Sequence, residues 1–126
     1  MYSSFNDYYS GYRQGGQINA QFRSAERVNS FYTKAAGVTF DGRQRFIPGL
    51  RPGQELEYRR DRYNRFDSNA VALYDGYGNQ IGFLSKEVAV TVAPKMDAGI
   101  RYRITVSQVT GGGSWSYGVN IHVQQL

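Results

Sequence analysis

The chain has 126 residues, enough for one small domain with a single core, and 40% of them are hydrophobic, which favours a folded globule over a disordered chain. Fifteen Lys and Arg stand against ten Asp and Glu, giving a net charge of +5. The lack of cysteine excludes disulfides and thiolate chemistry, and a single histidine, His122, excludes a histidine metal cluster. No run of about 18 apolar residues exists, which argues against a membrane span, and the N-terminus lacks the apolar region of a secretory signal, so we expect a cytoplasmic protein. We also expect no metal and no cofactor.

The charged and aromatic residues are of an unusual kind. Twelve of the fifteen cations are arginine, and eleven tyrosines and seven phenylalanines accompany them. Arginine has a planar fork that pairs with phosphate and stacks on bases, and exposed aromatic rings also stack on bases. This composition is typical of a surface that binds single-stranded nucleic acid. The alternative is that the aromatic residues fill the core of a β domain and the arginines keep it soluble.

The N-terminal third gives weak signals. Residues 1–22 are rich in Gly, Tyr, Ser and Gln without periodicity, which predicts a flexible tail. Residues 23–35 (RSAERVNSFYTKA) predict a short helix with Ser24 as its N-cap. The ordered domain is therefore predicted to cover residues 36–126.

The middle of the chain predicts strands. AAGVTF (35–40) reads as the first, and ELEYRR (55–60) as the second, with Leu56 and Tyr58 facing inward. NAVALYD (69–75) and QIGFLS (80–85) flank the turn GYGN and predict a hairpin. The segment SKEVAVTVAPKMDAG (85–99) predicts a helix capped by Ser85 and ended by Gly99. Pro94 should kink this helix or start a second short one.

The C-terminal part predicts a second hairpin. RYRITVSQV (101–109) and WSYGVNIHVQQL (115–126) alternate around the turn GGGS, and the second strand should face the core with Trp115, Tyr117, Val119, Ile121 and Val123. Several short strands and one main helix favour a mainly β protein with one or two helices. The expected architecture is a small OB-like or SH3-like β-barrel with a packed α-helix.

Catalytic chemistry finds little support in the residue pattern. His122 lies on the strand face opposite the apolar row, which is typical of a solvated histidine. The glycines of GYGNQIG have no lysine partner and lead into a strand, unlike a phosphate-binding loop that opens a helix. We therefore predict a protein that is not an enzyme.

The stretch RRDRYNRFDS (59–68) is the main candidate for binding. Its arginines can pair with phosphates, and its interleaved aromatic rings, Tyr63 and Phe66, can stack on bases. A carboxylate beside phosphates is repulsive, so Asp67 suggests a hydrogen bond to a hydroxyl such as the 3′-OH of a strand end. The competing interpretation, which the residues alone favour, is an Asx-type turn before the next strand. The two roles are compatible.

The stretch YNRFDSNAVALYDGYGNQIGFLSKEVAVTVAPKMDAG resembles the HIRAN domain family. The family pattern is Asn-Pro-Tyr-Asp-x-Asn-Ala-Ile, a short turn, Gly-Asn-x-Ile-Gly-His/Tyr-Leu-x-Lys/Arg-x-x-Ala, and a helix ending near Met-Asp-x-Gly. The first block here runs from Asn64 to Val71 and the second from Gly78 to Ala89. AAGVTFDGRQ and LRPGQELEYRRD resemble the first two strands of the family, so the likeness covers roughly residues 36–110.

The resemblance implies a HIRAN-type barrel that binds single-stranded DNA and grips its 3′-hydroxyl end. The aromatic–Asp pair of the family falls on Phe66 and Asp67, its first-strand aromatic on Phe40, and its second-block lysine on Lys86 at the start of the helix. This sequence departs from the pattern at Arg65, where proline is usual, and at Phe66, which keeps the ring but lacks the phenolic hydroxyl.

These observations give two hypotheses for function. The first is a non-enzymatic binder of single-stranded DNA, with selectivity for 3′ ends; RNA in place of DNA is a weaker variant. Its end pocket would contain Phe40, Asn64, Phe66 and Asp67, and its phosphate contacts would be Arg43, Arg60, Arg62, Arg65 and Lys86. The alternative is a phage or mobile-element protein-interaction module that inhibits a host nuclease or another DNA-processing enzyme.

Overall fold

The computed structural model describes residues 29–126, which form one antiparallel sheet, one α-helix and one 3₁₀ helix. Three short strands and a long C-terminal hairpin follow strand β1 along the chain, and the α-helix precedes that hairpin. The elements are β1 (Ser30–Lys34), the 3₁₀ helix (Arg43–Gly49), β2 (Glu55–Arg60), β3 (Val71–Tyr74), β4 (Gln80–Phe83), α1 (Lys86–Asp97), β5 (Tyr102–Gly112) and β6 (Trp115–Gln125).

The sheet has six strands in the order β1-β6-β5-β2-β3-β4, and every neighbouring pair is antiparallel. The chain just after β1 also reaches the opposite edge strand. The Ala36 and Phe83 backbones exchange hydrogen bonds of 2.8 and 2.9 Å. The sheet must curl for these two segments to meet, so it forms a half-barrel. The predicted mainly β, barrel-like fold with a packed helix is confirmed.

The interior of this curl holds the hydrophobic core. Strand residues that alternate in the sequence alternate between core and solvent, so Leu56, Ile104 and Val106 are fully buried. Helix α1 closes one side of the core with Ala89, Val92 and Ala93. The Ser85 hydroxyl accepts a hydrogen bond from the Val88 amide at 3.4 Å, which is the predicted N-cap. The helix continues through Pro94 as one element.

The predicted helix over residues 23–35 is wrong where the structure describes it. Residues 30–34 form strand β1, in which Phe31 pairs with Val123 and Tyr32 with His122. Aromatic and β-branched residues favour strands when a partner strand is present, and that partner lies far away in the sequence. The sheet thus begins before the predicted domain boundary at residue 36. The predicted tail and residues 23–28 of the predicted helix lie outside the described residues.

The segment AAGVTF was also predicted as a strand, and this is wrong. The Ala35 amide donates to the Val119 carbonyl of β6 at 2.9 Å, and Ala36 forms an isolated bridge to Phe83, but no strand continues beyond them. Gly37 then has a φ of 69°, and its carbonyl accepts the Phe40 amide at 3.3 Å. A positive φ turns the chain out of the extended conformation, so the segment becomes a turn that leads into the 3₁₀ helix.

The β5–β6 hairpin departs from its predicted alternation at the tip. Val119, Ile121 and Val123 face the core as predicted, but Tyr117 is only half-buried and Trp115 is 78% exposed. The register shifts between Thr110 and Gly112, so the tip bends away from the core beyond this bulge. Tyr117 still packs against the core, so the predicted apolar row is correct from Tyr117 to Val123 and fails at Trp115.

Within residues 29–126, no helix has the length and apolar character needed to cross a membrane. The same residues contain no group of three or more His, Asp or Glu arranged to hold a metal ion.

Candidate nucleic-acid interface

The loop between β2 and β3, residues 61–70, is the site loop. Its base is closed by a hydrogen bond of 2.9 Å from the Asp61 amide to the Ala70 carbonyl. Within the loop, the Asn64 amide bonds to the Asp61 carbonyl at 3.1 Å, and the Ala70 amide bonds to the Asp67 carbonyl at 3.0 Å. The loop is thus a chain of tight turns with a defined shape.

Asn64 organises the centre of this loop. Its side-chain carbonyl oxygen accepts the amides of Phe66 and Asp67 at 2.9 and 3.1 Å, and its Nδ2 donates to Asp61 Oδ2 at 3.0 Å. These bonds fix the backbone that carries Phe66, whose side chain packs on little else and is 84% exposed. Asn64 was predicted in the end pocket, and the structure places it beneath Phe66 and Asp67 as their support.

Asp67 makes the predicted Asx turn with one of its oxygens. Oδ1 accepts the Asn69 amide at 2.9 Å. Oδ2 makes no hydrogen bond to any residue between 29 and 126, and the side chain is only half-buried. One oxygen therefore holds the loop, and the other remains an acceptor on the residue that follows the exposed Phe66. The turn thus does not preclude the predicted contact with a hydroxyl.

The arginines of the predicted positive ridge divide into different roles. Arg59 lies over the Tyr74 ring at 4.4 Å and faces away from its neighbour Arg60, as alternate strand residues do. The Arg60 side chain is 12% exposed and bonds to Asp97 and to the Ser68 and Ala70 carbonyls. Arg62 shares Asp97 at 2.9 Å but stays mostly exposed. These guanidinium groups hold the pKa of Asp97 below its usual value, chiefly through the hydrogen bond from Arg60 and then that from Arg62.

The other predicted phosphate contacts, Arg43, Arg65 and Lys86, differ in how exposed they are. Arg43 is largely buried: its Nη1 donates to the Gly37 carbonyl at 2.8 Å, and its guanidinium lies 5.1 Å from the centre of the Phe83 ring. Arg65 and Lys86 are exposed and form no ion pair with any of the residues described. Lys86 is the first residue of α1, where helix N–H groups also favour an anion.

The pairing of the strands brings the turn that carries Phe40, the other aromatic residue predicted in the end pocket, towards the site loop. Ala72, just after the site loop, pairs with Phe83 of β4, and Phe83 also pairs with Ala36. The turn that follows Ala36 carries Phe40, which is 65% exposed. The site loop and the Phe40 turn therefore flank the end of β4, from which α1 starts.

Trp115, which its alternation pattern predicted in the core, is the third aromatic residue of this surface. The Gln44 side chain accepts the Tyr117 amide at 2.7 Å and donates to the Tyr117 and Val38 carbonyls at 3.0 and 2.9 Å. It thus connects the Phe40 turn to the β5–β6 tip, where Trp115 is exposed. One feature of the sequence does favour an exposed Trp115: the residue directly follows the turn GGGS and so lies at the tip of the predicted hairpin.

We call the three exposed rings of Phe66, Phe40 and Trp115, with the segments that carry them, the aromatic track. Backbone and side-chain hydrogen bonds connect these segments in that order: site loop, end of β4, Phe40 turn and hairpin tip. All three rings are largely exposed, and they are carried by segments that adjoin one another. Rings of this kind offer flat faces for base stacking.

Comparisons with known proteins agree with this architecture. The family model described as "HIRAN domain" matches residues 28–124. The crystal structure of the HIRAN domain of human HLTF superposes with a TM-score of 0.60 at 24% identity, covering 77% of this chain and 74% of that one. A protein from Lactobacillus plantarum gives a TM-score of 0.58 at 17% identity, covering 75% and 98%. At these identities the two structures show the fold alone.

A comparison with curated proteins gave no match. Neither the family model nor the two solved structures supports the alternative of an inhibitor that acts on a DNA-processing enzyme. The family model spans most of the chain and includes strand β1, the site loop and the aromatic track. The resemblance seen in the sequence is therefore confirmed, and the chain belongs to the HIRAN domain family.

Proposed function

We propose that this protein is a non-enzymatic module that binds single-stranded DNA and receives the 3′ end of the strand at the site loop. Membership of the HIRAN family supports a DNA-binding module. The observation that carries the finer proposal is the pairing of an exposed ring, Phe66, with a carboxylate oxygen of Asp67 that no described residue occupies. A terminal base stacks on the ring while its sugar hydroxyl donates to the carboxylate.

The rest of the strand follows the aromatic track. Phe40 was predicted in the end pocket, but it lies on the turn after Ala36 and not on the site loop, so we assign it to the path of the strand. Bases stack on Phe40 and Trp115, and the exposed cations Arg62, Arg65 and Lys86 neutralise phosphates. Arg43 and Arg60 were predicted as phosphate contacts, but their guanidinium groups are engaged within the protein, so they support the proposal by shaping the surface.

Fluorescence anisotropy tests the proposal directly. Labelled single- and double-stranded oligonucleotides, each with free or blocked ends, are titrated with the protein at two salt concentrations. We expect tighter binding of single strands, a steep loss of affinity with salt, and a preference for a free 3′-OH over a 3′-phosphate. Equal affinity for both kinds of 3′ end would refute end recognition, and no binding of single strands would refute the function itself.

Asp67→Asn should remove the preference for the free 3′-OH. The amide oxygen of asparagine can still accept the Asn69 amide, so the turn is kept, while the charge that attracts a hydroxyl and repels a phosphate is lost. Hydrogen bonds to charged groups contribute about 1.5–3 kcal/mol, so the ratio of the two affinities should fall by about tenfold or more. Glu55→Gln makes the same charge change on an exposed strand residue outside the site loop and should leave the ratio unchanged.

Trp115→Ala should weaken binding only of strands long enough to reach the hairpin tip. The ring is exposed, so its removal should not alter the fold. We expect a loss of about 1 kcal/mol, the lower end for stacking on one ring, with an oligonucleotide of ten nucleotides and no loss with a trinucleotide. An equal loss for both lengths would place Trp115 beside the strand end and contradict the proposed order of the track.

A further inference from the structure

One largely buried arginine side chain connects three separate parts of the molecule. Arg60 is the last residue of β2, and its Nε and Nη2 reach both carboxylate oxygens of Asp97, the last residue of α1, at 2.9 and 3.2 Å. Its Nη1 donates to the Ala70 carbonyl at 2.7 Å and its Nη2 to the Ser68 carbonyl at 3.0 Å. We call Arg60, Asp97 and these two carbonyls the clasp.

The clasp requires the geometry of arginine. A guanidinium carries five N–H donors in a rigid fork, and the four hydrogen bonds of Arg60 take up most of them. A lysine ammonium has three donors at one point and cannot span a carboxylate and two carbonyls at the same distances. With its side chain only 12% exposed, Arg60 offers little surface to an incoming phosphate.

The position of Asp97 points to the same role. A carboxylate at the C-terminal end of a helix faces the negative end of the helix dipole, which disfavours it by itself. The two arginines compensate for this, since Arg62 donates a further bond of 2.9 Å to Asp97 Oδ1. Their hydrogen bonds, first that of Arg60 and then that of Arg62, also lower the pKa of Asp97, because they stabilise its ionised form.

The clasp acts on the site loop at both of its ends. Arg60 and Arg62 flank the start of the loop, and Ser68 and Ala70 lie just after Asp67. The carbonyls held by Arg60 therefore fix the backbone that directs the free oxygen of Asp67. Helix α1, which begins with the exposed Lys86, is fastened to the loop through Asp97 at its other end.

We infer that Arg60 and Asp97 are positioning residues, which hold the site loop in the shape that recognises a strand end and make no contact with phosphate themselves. This inference rests on the proposed function. It differs from the predicted phosphate contact at Arg60, for which any positive charge would be sufficient, because the clasp depends on the guanidinium fork and on its carboxylate partner.

Arg60→Lys and Asp97→Asn test the inference, and Asp97→Glu is the conservative variant. For each, anisotropy gives the ratio of affinities for 3′-OH and 3′-phosphate strands and the slope of log affinity against log salt. We expect Arg60→Lys and Asp97→Asn each to lower this ratio of affinities by about tenfold, the scale of a lost charge-assisted hydrogen bond. Asp97→Glu keeps the carboxylate and should retain most of the ratio. Arg60→Lys should leave the salt slope unchanged.

Arg65→Gln is the matched control for a phosphate contact. Because it removes an exposed charge of the site loop, it should reduce the salt slope by about 0.7, the value for one phosphate of a single strand, and leave the end preference intact. If Arg60 contacted phosphate, Arg60→Lys would keep both the slope and the end preference. That result would overturn the inference while the proposed function stood.

Amide hydrogen exchange separates the clasp from DNA binding. In Asp97→Asn, the amides of Phe66, Asp67 and Asn69, which are hydrogen-bonded within the loop, should exchange faster, whereas those of β5 should not. Unchanged exchange in the loop would overturn the inference even if the protein binds DNA as proposed. If the loop amides exchange faster in Asp97→Asn but the unmodified protein binds no single strand, the clasp still supports the loop and only the proposed function is refuted.

Discussion

Replacing Phe66 with alanine is expected to weaken the binding of every single-stranded oligonucleotide by about 1–3 kcal/mol, a loss of about 5- to 150-fold in affinity. The ring is 84% exposed and held outward by the Asn64 side chain, so its removal takes away a stacking face and little of the core. Stability should change by less than about 0.5 kcal/mol, as for other surface substitutions. Anisotropy and urea denaturation on the same variant measure the two quantities.

Two further substitutions define what the Phe66 ring contributes. Phe66→Tyr keeps the flat face and should bind like the unmodified protein, whereas Phe66→Leu keeps apolar bulk without the face and should behave like Phe66→Ala. Tyr63→Ala removes another ring of the same loop, 97% exposed and outside the aromatic track, and should have a smaller effect. If Phe66→Leu binds as well as Phe66→Tyr, apolar contact and not stacking holds the base.

The parts of the fold that were predicted correctly depend on neighbours close in sequence. The β3–β4 hairpin follows from two strand-forming segments around the turn GYGN, where Asp75 Oδ1 accepts the Tyr77 and Asn79 amides at 2.8 and 2.9 Å. Helix α1 follows from its N-cap and apolar stripe. Strand β1 was missed because its partner, β6, is at the other end of the chain and only the folded sheet supplies it.

The candidate site shows the same division between local and distant determinants. Phe66 is exposed and Asp67 forms its turn as the motif indicates, because the bonds that hold them lie within a few residues. The pairing of Arg60 with Asp97 spans 37 residues, and that of Gln44 with Tyr117 spans 73. No pattern in the sequence shows that Arg60 is engaged by the protein while the similar Arg65 is exposed, since burial depends on those distant partners.

The pairing of Ala36 with Phe83, which joins the two edges of the sheet, depends on a glycine. A Cβ built on Gly82 would lie 2.6 Å from the Ala36 carbonyl oxygen and 3.1 Å from a Val38 methyl carbon. Real Cβ atoms do not approach backbone oxygen so closely, and a backbone neighbour cannot rotate away as a flexible side chain can. Any side chain at residue 82 must therefore push the Ala36 segment off β4.

Gly82→Ala is expected to lower the free energy of unfolding by about 3 kcal/mol. Overpacking in a well-packed site costs about 1–3 kcal/mol, and the two hydrogen bonds between Ala36 and Phe83 add about 1 kcal/mol each if they break. For a domain of this size, the loss corresponds to a fall in Tm of about 10 °C. Urea and thermal denaturation measure it, with Gly76→Ala as the control, because a Cβ at Gly76 meets nothing within 4 Å.

The same substitution should also reduce DNA binding, through a different route from Phe66→Ala. The Ala36 segment continues into the turn that carries Phe40, so displacing it removes Phe40 from the aromatic track while the site loop, held by its own hydrogen bonds, remains. Affinity for long strands should fall while the preference for a free 3′-OH persists. If Gly82→Ala lost the end preference but kept its affinity for long strands, the site loop would depend on the Ala36–Phe83 pairing and the Phe40 turn would not, contrary to the order of contacts seen in the structure.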